Sequence, residues 1–144
     1  VYFKNRGEYE DDNVDWVVYS LLDHNIPPDI EKTGRLKIGL FHGPVQGLTT
    51  DIGYKFETGF ETDKFNGCDL VLCGDIHKRA EFQIKGGKGY MIGSTIQNNI
   101  GESIGRHGYG IYDVETKEYE YVDLPNPKPF LKFEIKLSQI YTLK

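Results

Sequence analysis

An aspartate and a histidine stand directly after an apolar run, and this placement could support metal chemistry. The run covers residues 70–73 (Leu-Val-Leu-Cys), ends at Gly74, and is followed by Asp75 and His77. In an extended chain, residues two positions apart point to the same side, so the carboxylate and the imidazole are expected to lie side by side. Carboxylate oxygen and imidazole nitrogen are both common ligands of divalent transition metals.

A second apolar run, residues 36–41, ends at a histidine, His42. If both runs are strands of one parallel sheet, their carboxyl ends meet at the edge where ligands bind in open α/β sheets. His42, Asp75 and His77 would then form one split site with mixed nitrogen and oxygen donors. Such a donor set suits Mn, Zn or Fe better than Ca or Mg.

The elements that must position these residues are predicted to be mostly strands. Residues 70–73 are all apolar, which is typical of a strand buried on both sides in a parallel sheet, and residues 36–41 form a second strand-like run. A hairpin with its turn at residues 5–8 is expected at the start of the chain. The predicted strands are residues 1–4, 14–22, 36–41, 69–73, 80–84, 90–92, 109–114, 119–122 and 131–137. Residues 43–59 are predicted to be a loop beside the site, and residues 60–66 a short helix capped by Thr58 or Thr62.

The composition restricts the function classes. The chain has 144 residues, enough for one domain, and a formal net charge of −5, which argues against a global attraction to nucleic acid. The charge is uneven, because residues 74–110 contain five Lys or Arg against three Asp or Glu. No apolar run approaches the ~20 residues of a membrane-spanning helix. Cys68 and Cys73 are predicted to be free, buried thiols, and without a signal peptide the expected location is the cytoplasm.

Three motifs, in this order, resemble those of the calcineurin-like metallophosphoesterases. They are residues 41–45 (Phe-His-Gly-Pro-Val), 73–78 (Cys-Gly-Asp-Ile-His-Lys) and 92–102 (Ile-Gly-Ser-Thr-Ile-Gln-Asn-Asn-Ile-Gly-Glu). Within that superfamily the chain is most similar to the SbcD-type DNA repair nucleases and their phage and viral relatives. The third motif resembles their Gly-Ser-X-X-Gln block with its later glutamate, and residues 107–114 resemble their next strand. The similarity extends from about Val1 to Pro127.

The resemblance implies an α/β fold, a calcineurin-like two-sheet β-sandwich flanked by helices, of which this chain carries a β-rich part. Residues 1–127 would be the C-terminal part of the phosphoesterase domain. Residues 128–144 would be a strand that leads into an accessory element. The family's earlier motifs, including its catalytic histidine, have no counterpart in this sequence. Because the chain starts with Val1 rather than Met, those motifs are expected upstream of it.

The resemblance also implies two divalent metal ions, Mn first, with Zn, Fe or Mg as alternatives. His42, Asp75 and His77 would be ligands. Asp75 departs from the family, since most members carry histidine at this position, but an aspartate can still bind a hard divalent cation.

The activity implied is that of a metal-dependent DNA exo- or endonuclease subunit in repair and recombination, working with an SbcC- or Rad50-like ATPase. Lys78 and Arg79 follow the ligand pair and could contact a phosphate backbone, and Ser94 is a further candidate for substrate binding. The isolated chain is expected to be inactive or nearly so. A homodimer of the full-length protein remains open.

Two alternatives also remain open. One is a phosphomonoesterase or phosphodiesterase of the same superfamily that acts on small molecules or phosphoproteins, which the acidic net charge favours. The other is a non-catalytic β-rich module that binds a partner, in which His42 and His77 are ordinary turn residues. His24 and His107 lack a motif context and are predicted to be structural or surface residues.

Overall fold

The computed structural model describes residues 5–20, 27–31 and 33–136. The strands are β1 (Gly7–Glu10), β2 (Val14–Val18), β3 (Leu36–His42), β4 (Leu70–Gly74), β5 (Ala80–Ile84), β6 (Gly87–Met91), β7 (Gly108–Asp113) and β8 (Glu118–Asp123). The first six form one mixed sheet in the order β1-β2-β3-β4-β6-β5, and β7 and β8 form a separate antiparallel pair. The β-rich character expected from the sequence is therefore confirmed.

The centre of the large sheet is parallel. Strand β3 pairs in parallel with both β2 and β4, and β4 pairs in parallel with β6. Most of β4 is buried, as expected for an apolar strand with neighbours on both faces. The two motif strands are confirmed as parallel neighbours in one sheet, although the sheet as a whole is mixed, and their carboxyl ends lie side by side.

Each face of the large sheet has its own core. On one face the rings of Tyr19, Phe41, Phe60 and Phe65 pack with centroids 4.6 to 5.7 Å apart, mostly in edge-on or tilted geometries. Aromatic residues of the β7–β8 pair pack against the other face, where the rings of Tyr90 and Tyr119 stack at 3.8 Å. Both faces are covered, which fits a buried parallel centre.

The first hairpin is displaced from its predicted position. Residues 7–10 form β1, so the turn predicted at residues 5–8 is wrong, and the chain turns at residues 11–13 instead. The acidic residues there favour a turn, because the Asp11 side chain accepts the Asp12 N–H and the Asp11 N–H donates to the Val14 carbonyl. The strand predicted at residues 1–4 and the end of the one predicted at 14–22 lie outside the described residues.

Little helix is present in the part of the chain that the structure describes. A 3-10 helix, Thr62–Phe65, stands where a short helix was predicted, and no α-helix flanks either sheet within the described ranges. The predicted caps are wrong, since the N-cap is Glu61 and its side chain makes no capping hydrogen bond. The segment before this helix stays a loop because the main chain of Pro44 and Gln46 bonds to Phe60.

The end of the described chain lacks the predicted strand. Residues 131–136 belong to no strand, and Leu131, Phe133 and Ile135 are 51%, 79% and 62% exposed. An apolar alternation forms a strand only beside a partner that pairs with it, and no described segment does so here. The strand predicted at residues 131–137 is therefore wrong for its described part, and the accessory element to which residues 128–144 would lead stays a prediction.

Two further expectations concern the cysteines and the membrane. Cys68 and Cys73 are buried and free, as predicted. Among the described residues there is no helix of the length and apolarity that crossing a membrane requires.

Candidate metal site

His42 is the last residue of β3 and lies opposite Gly74, the last residue of β4, in the register of the sheet. Its imidazole packs directly on that glycine, because a Cβ atom at position 74 would stand only 2.9 Å from His42 Cδ2. Tyr19 and Ile92 help to line the crevice beyond these strand ends. The His42 ring can occupy this position because Gly74 has no side chain.

The chain turns sharply at Asp75. Its φ angle is 100°, in a region that L-residues with a side chain seldom adopt, so the extended Asp-X-His geometry expected from the sequence is wrong. Short polar side chains such as aspartate tolerate this region best, and such strain is often found at functional sites. Asp75 and His77 nevertheless line the same cleft, which has a volume of about 220 Å³.

Two loops complete the walls of this cleft. Thr50 and Ile52 come from the loop between β3 and the 3-10 helix, and Gly101 and Glu102 come from the loop between β6 and β7. The loops touch each other, since a Cβ atom on Gly101 would lie 3.0 Å from Ile52 Cγ2. Lys78, another lining residue, donates a 3.1 Å hydrogen bond from Nζ to the hydroxyl of Thr49 and ties the turn after β4 to the first loop.

A buried carboxylate holds His77. The Nδ1 atom of His77 lies 2.8 Å from Oε1 of Glu102. The Glu102 side chain is 8% exposed, whereas the His77 side chain is 46% exposed. Burial raises the pKa of Glu102, but the hydrogen bonds that its carboxylate accepts from the Asn98 N–H and from His77 outweigh burial, so the pKa lies below its ordinary value. Glu102 is therefore ionised at neutral pH. The sequence contained this glutamate within the third motif but gave it no role.

Arg79 and Ser94, two of the candidate substrate contacts, are engaged elsewhere. The Arg79 guanidinium forms an ion pair with Asp123, donates to the Val122 carbonyl at 3.2 Å and lies over the Tyr121 ring. It attaches β8 to the turn after β4 and does not line the cleft. The Arg79 side chain is therefore occupied by β8 and does not reach the cleft as a substrate contact would require.

Ser94 and His107 form a structural pair. The Ser94 hydroxyl donates to His107 Nδ1 at 2.9 Å, and His107 Nε2 donates to the Ser103 carbonyl at 2.7 Å. His107 is 2% exposed, so it closes the loop between β6 and β7 from within. This agrees with its predicted structural role, whereas His24 lies outside the described residues.

The donor chemistry fits a transition metal, but the number of donors does not complete a site. Among the described residues, no group of three or more His, Cys, Asp or Glu side chains is arranged to hold a metal ion. Asp75 and His77 line one cleft, whereas His42 lines a different crevice at the strand ends. The described residues alone therefore do not complete a metal centre.

Comparison with known proteins gives one distant relative. The chain is similar to the uncharacterized protein R555 of Acanthamoeba polyphaga mimivirus, with 27% identity over 154 aligned residues. The match covers 99% of this chain but only 11% of the relative, so the chain spans about a tenth of that protein's length. No family model and no solved structure matches the chain.

Proposed function

We propose that this chain is part of a metal-dependent phosphoesterase that hydrolyses phosphodiester bonds in DNA. The observation that carries the proposal is the junction of two parallel strand ends, where His42 packs on Gly74 and Asp75 follows directly. His77 follows two residues after Asp75, and one of its ring nitrogens is held by a buried carboxylate. Nitrogen and oxygen donors on rigid strand ends are what a divalent metal centre requires.

In this proposal His42, Asp75 and His77 supply part of a two-metal centre, with Mn as the first choice of metal. Two such ions polarise a phosphoryl oxygen and provide a hydroxide nucleophile when they are bound. The described sheets would be part of a two-sheet sandwich. Its flanking helices, the remaining ligands and the catalytic histidine would belong to other parts of a longer protein.

DNA is the proposed substrate because of the three ordered motifs and the position of Lys78. Lys78 is the basic residue that lines the cleft beside Asp75 and His77 among the described residues, so it is placed to contact a phosphate. Such a contact positions a nucleic acid without reading its sequence. An SbcC- or Rad50-like ATPase partner, and a homodimer of the full-length protein, remain part of the proposal.

A second candidate function is hydrolysis of small phosphate esters by the same centre. Three carboxylates, Asp51, Asp75 and Glu102, line the cleft, and the whole chain carries a formal net charge of −5. Negative charge of this kind disfavours a long polyanion. A cleft of about 220 Å³ is also small enough to favour a compact ester.

Activity assays can separate these candidates. The longer protein that contains this chain would be supplied with Mn²⁺ and offered a DNA oligonucleotide or p-nitrophenyl phosphate. We expect DNA cleavage that falls more than about 100-fold in both His42→Ala and His77→Ala, because each removes a metal ligand. Asp12→Asn, at an exposed turn far along the chain from the motifs, should keep full activity.

Other results would change the assignment. Hydrolysis of the phosphomonoester without DNA cleavage would favour the second candidate function. Unchanged activity in both histidine variants would mean that the chain is a non-catalytic module. Turnover by the 144-residue chain alone would contradict the view that its centre is incomplete.

A further inference from the structure

We propose that Glu102 is a positioning residue that keeps the His77 proton on Nδ1 and leaves the Nε2 lone pair free for a divalent metal ion. The role of the metal rests on the proposed function, but the proton position can be measured without any metal. Two observations support the assignment: a short contact between the two side chains, and a network that prevents the carboxylate from turning away.

The contact fixes which nitrogen carries the proton. A carboxylate only accepts hydrogen bonds, so a ring nitrogen 2.8 Å from Glu102 Oε1 must be a donor. The amide nitrogen of Asn98 also lies 3.4 Å from His77 Nδ1. The contact with the carboxylate is shorter and involves a charge, so it determines the tautomer.

The carboxylate is itself held in place by donors. Its Oε2 accepts the backbone N–H of Asn98 at 2.7 Å, and its Oε1 accepts the side-chain amide of Asn99 at 2.6 Å. The Gln97 side chain, 4% exposed, donates to the Glu102 carbonyl at 3.0 Å and accepts the N–H of Phe130 at 2.9 Å. Because both carboxylate oxygens of Glu102 accept hydrogen bonds from the loop, the carboxylate keeps the orientation in which Oε1 contacts His77.

The exposure of the pair points to a ligand rather than to a purely structural bond. The anchoring end, Glu102, is buried, and the imidazole at the other end is about half exposed in the cleft that Asp75 also lines. Among the described residues, none forms a hydrogen bond with His77 Nε2. A carboxylate that holds one nitrogen of a histidine both orients the ring and increases the basicity of the other nitrogen, which favours metal binding.

Ring ¹⁵N NMR of the 144-residue chain tests the proton position directly, at a pH where His77 is neutral. We expect a protonated Nδ1 and an unprotonated Nε2 in the wild type, with His77→Ala used to assign the signals. Glu102→Ala should let the proton move to Nε2. Glu102→Gln, which keeps an acceptor oxygen, should restore the Nδ1–H form at least in part.

Asn99→Ala is the matched control for loosening of the loop. It removes one donor to Glu102 but leaves the bond between the carboxylate and the imidazole, so the tautomer should stay as in the wild type. A wild-type ring protonated on Nε2 would overturn the proposal. A Glu102→Ala chain that stays folded and keeps the Nδ1–H form would overturn it as well.

A second measurement separates this proposal from the proposed function. Mn²⁺ should broaden the His77 ring signals, and Glu102→Ala should raise the concentration needed by about 10- to 100-fold, with Glu102→Gln in between. If the wild type shows the Nδ1–H form but no effect of Mn²⁺, His77 is not a metal ligand, while the positioning of His77 by Glu102 is supported. If Mn²⁺ binds equally well to the wild type and Glu102→Ala, the positioning proposal fails and the metal site stands.

Discussion

The geometry of the candidate site depends on Gly74. The His42 ring occupies the space that a side chain at this position would need, and Asp75 begins the turn immediately afterwards. Glycine in a strand often marks such a close approach. The His42 ring, rather than the strand itself, therefore explains why residue 74 is a glycine.

Gly74→Ala is predicted to displace His42 without unfolding the chain. The new methyl group would stand 2.9 Å from His42 Cδ2, and a side chain can move aside more easily than a main chain. We expect a changed His42 ring signal and about 10-fold weaker Mn²⁺ binding, with a loss of unfolding free energy below about 1 kcal/mol. NMR and urea denaturation would measure these effects.

Gly105→Ala is the control for this substitution, because a Cβ atom there has no neighbour within 4 Å. It should leave both the His42 signal and Mn²⁺ binding unchanged. An unperturbed His42 signal in Gly74→Ala would contradict the close packing of the ring on the glycine.

Among the elements, β1, β2 and β3 are joined by a cluster of charges on the large sheet. Asp15 is fully buried, accepts from Thr33 Oγ1 and Arg35 Nε at 2.6 Å each, and lies 3.0 Å from Lys37 Nζ. Lys37 also forms an ion pair with Glu8 on β1. Buried charges of this kind are tolerated only when they are paired, so the three strands depend on one another.

This cluster predicts an acid dependence of stability. The hydrogen bond from Thr33 lowers the pKa of Asp15, burial opposes that effect, and Arg35 lowers it again, so the folded pKa lies below the ordinary value of 3.8. Because the folded pKa is below the unfolded one, Asp15 stabilises the fold above pH 3.8, and this contribution is lost as the pH falls through the folded pKa.

Asp15→Asn is expected to have a lower melting temperature than the wild type at neutral pH, because Lys37 loses a buried partner. The two melting temperatures should converge as the pH falls below 3.8. Thermal unfolding followed by circular dichroism from neutral to acid pH would measure this. A difference that stays constant over the whole range would show that the ionisation of Asp15 contributes nothing.

Local patterns in the sequence predicted the centre of the fold well. The strand β5 begins and ends where expected, and β3, β4, β7 and β8 differ from the predictions by a residue or two, because apolar runs bounded by turn residues specify strands locally. Residues 131–136 have the same kind of alternation, but no strand among the described residues pairs with them. Pairing depends on distant parts of a chain, and a local pattern does not contain that information.

The site was predicted in part for the same reason. His42 and Asp75 became candidates because they follow strand-like runs, which a sequence displays directly. The bond between His77 and Glu102 joins residues 25 positions apart across a loop, and only the fold brings them together. Arg79 looked free in the sequence, but the chain returns through β8 and supplies Asp123 as its partner.

At the scale of the whole molecule, the described chain offers donors from two strand ends but no complete metal centre. Its distant relative is far longer, with this chain aligned to 11% of it, so the proposed activity concerns a longer protein. The central proposal that can be tested on the chain itself is that His42, Asp75 and His77 all contribute to one metal site, which the described residues alone do not complete.

The most direct test is a Mn²⁺ titration of the 144-residue chain, followed through the ring signals of His42 and His77. We predict that both histidines respond with the same apparent affinity and that Asp75→Ala weakens both responses together, while Asp12→Asn leaves them unchanged. Two different affinities, or no response at either histidine, would contradict the claim that these residues form one metal site.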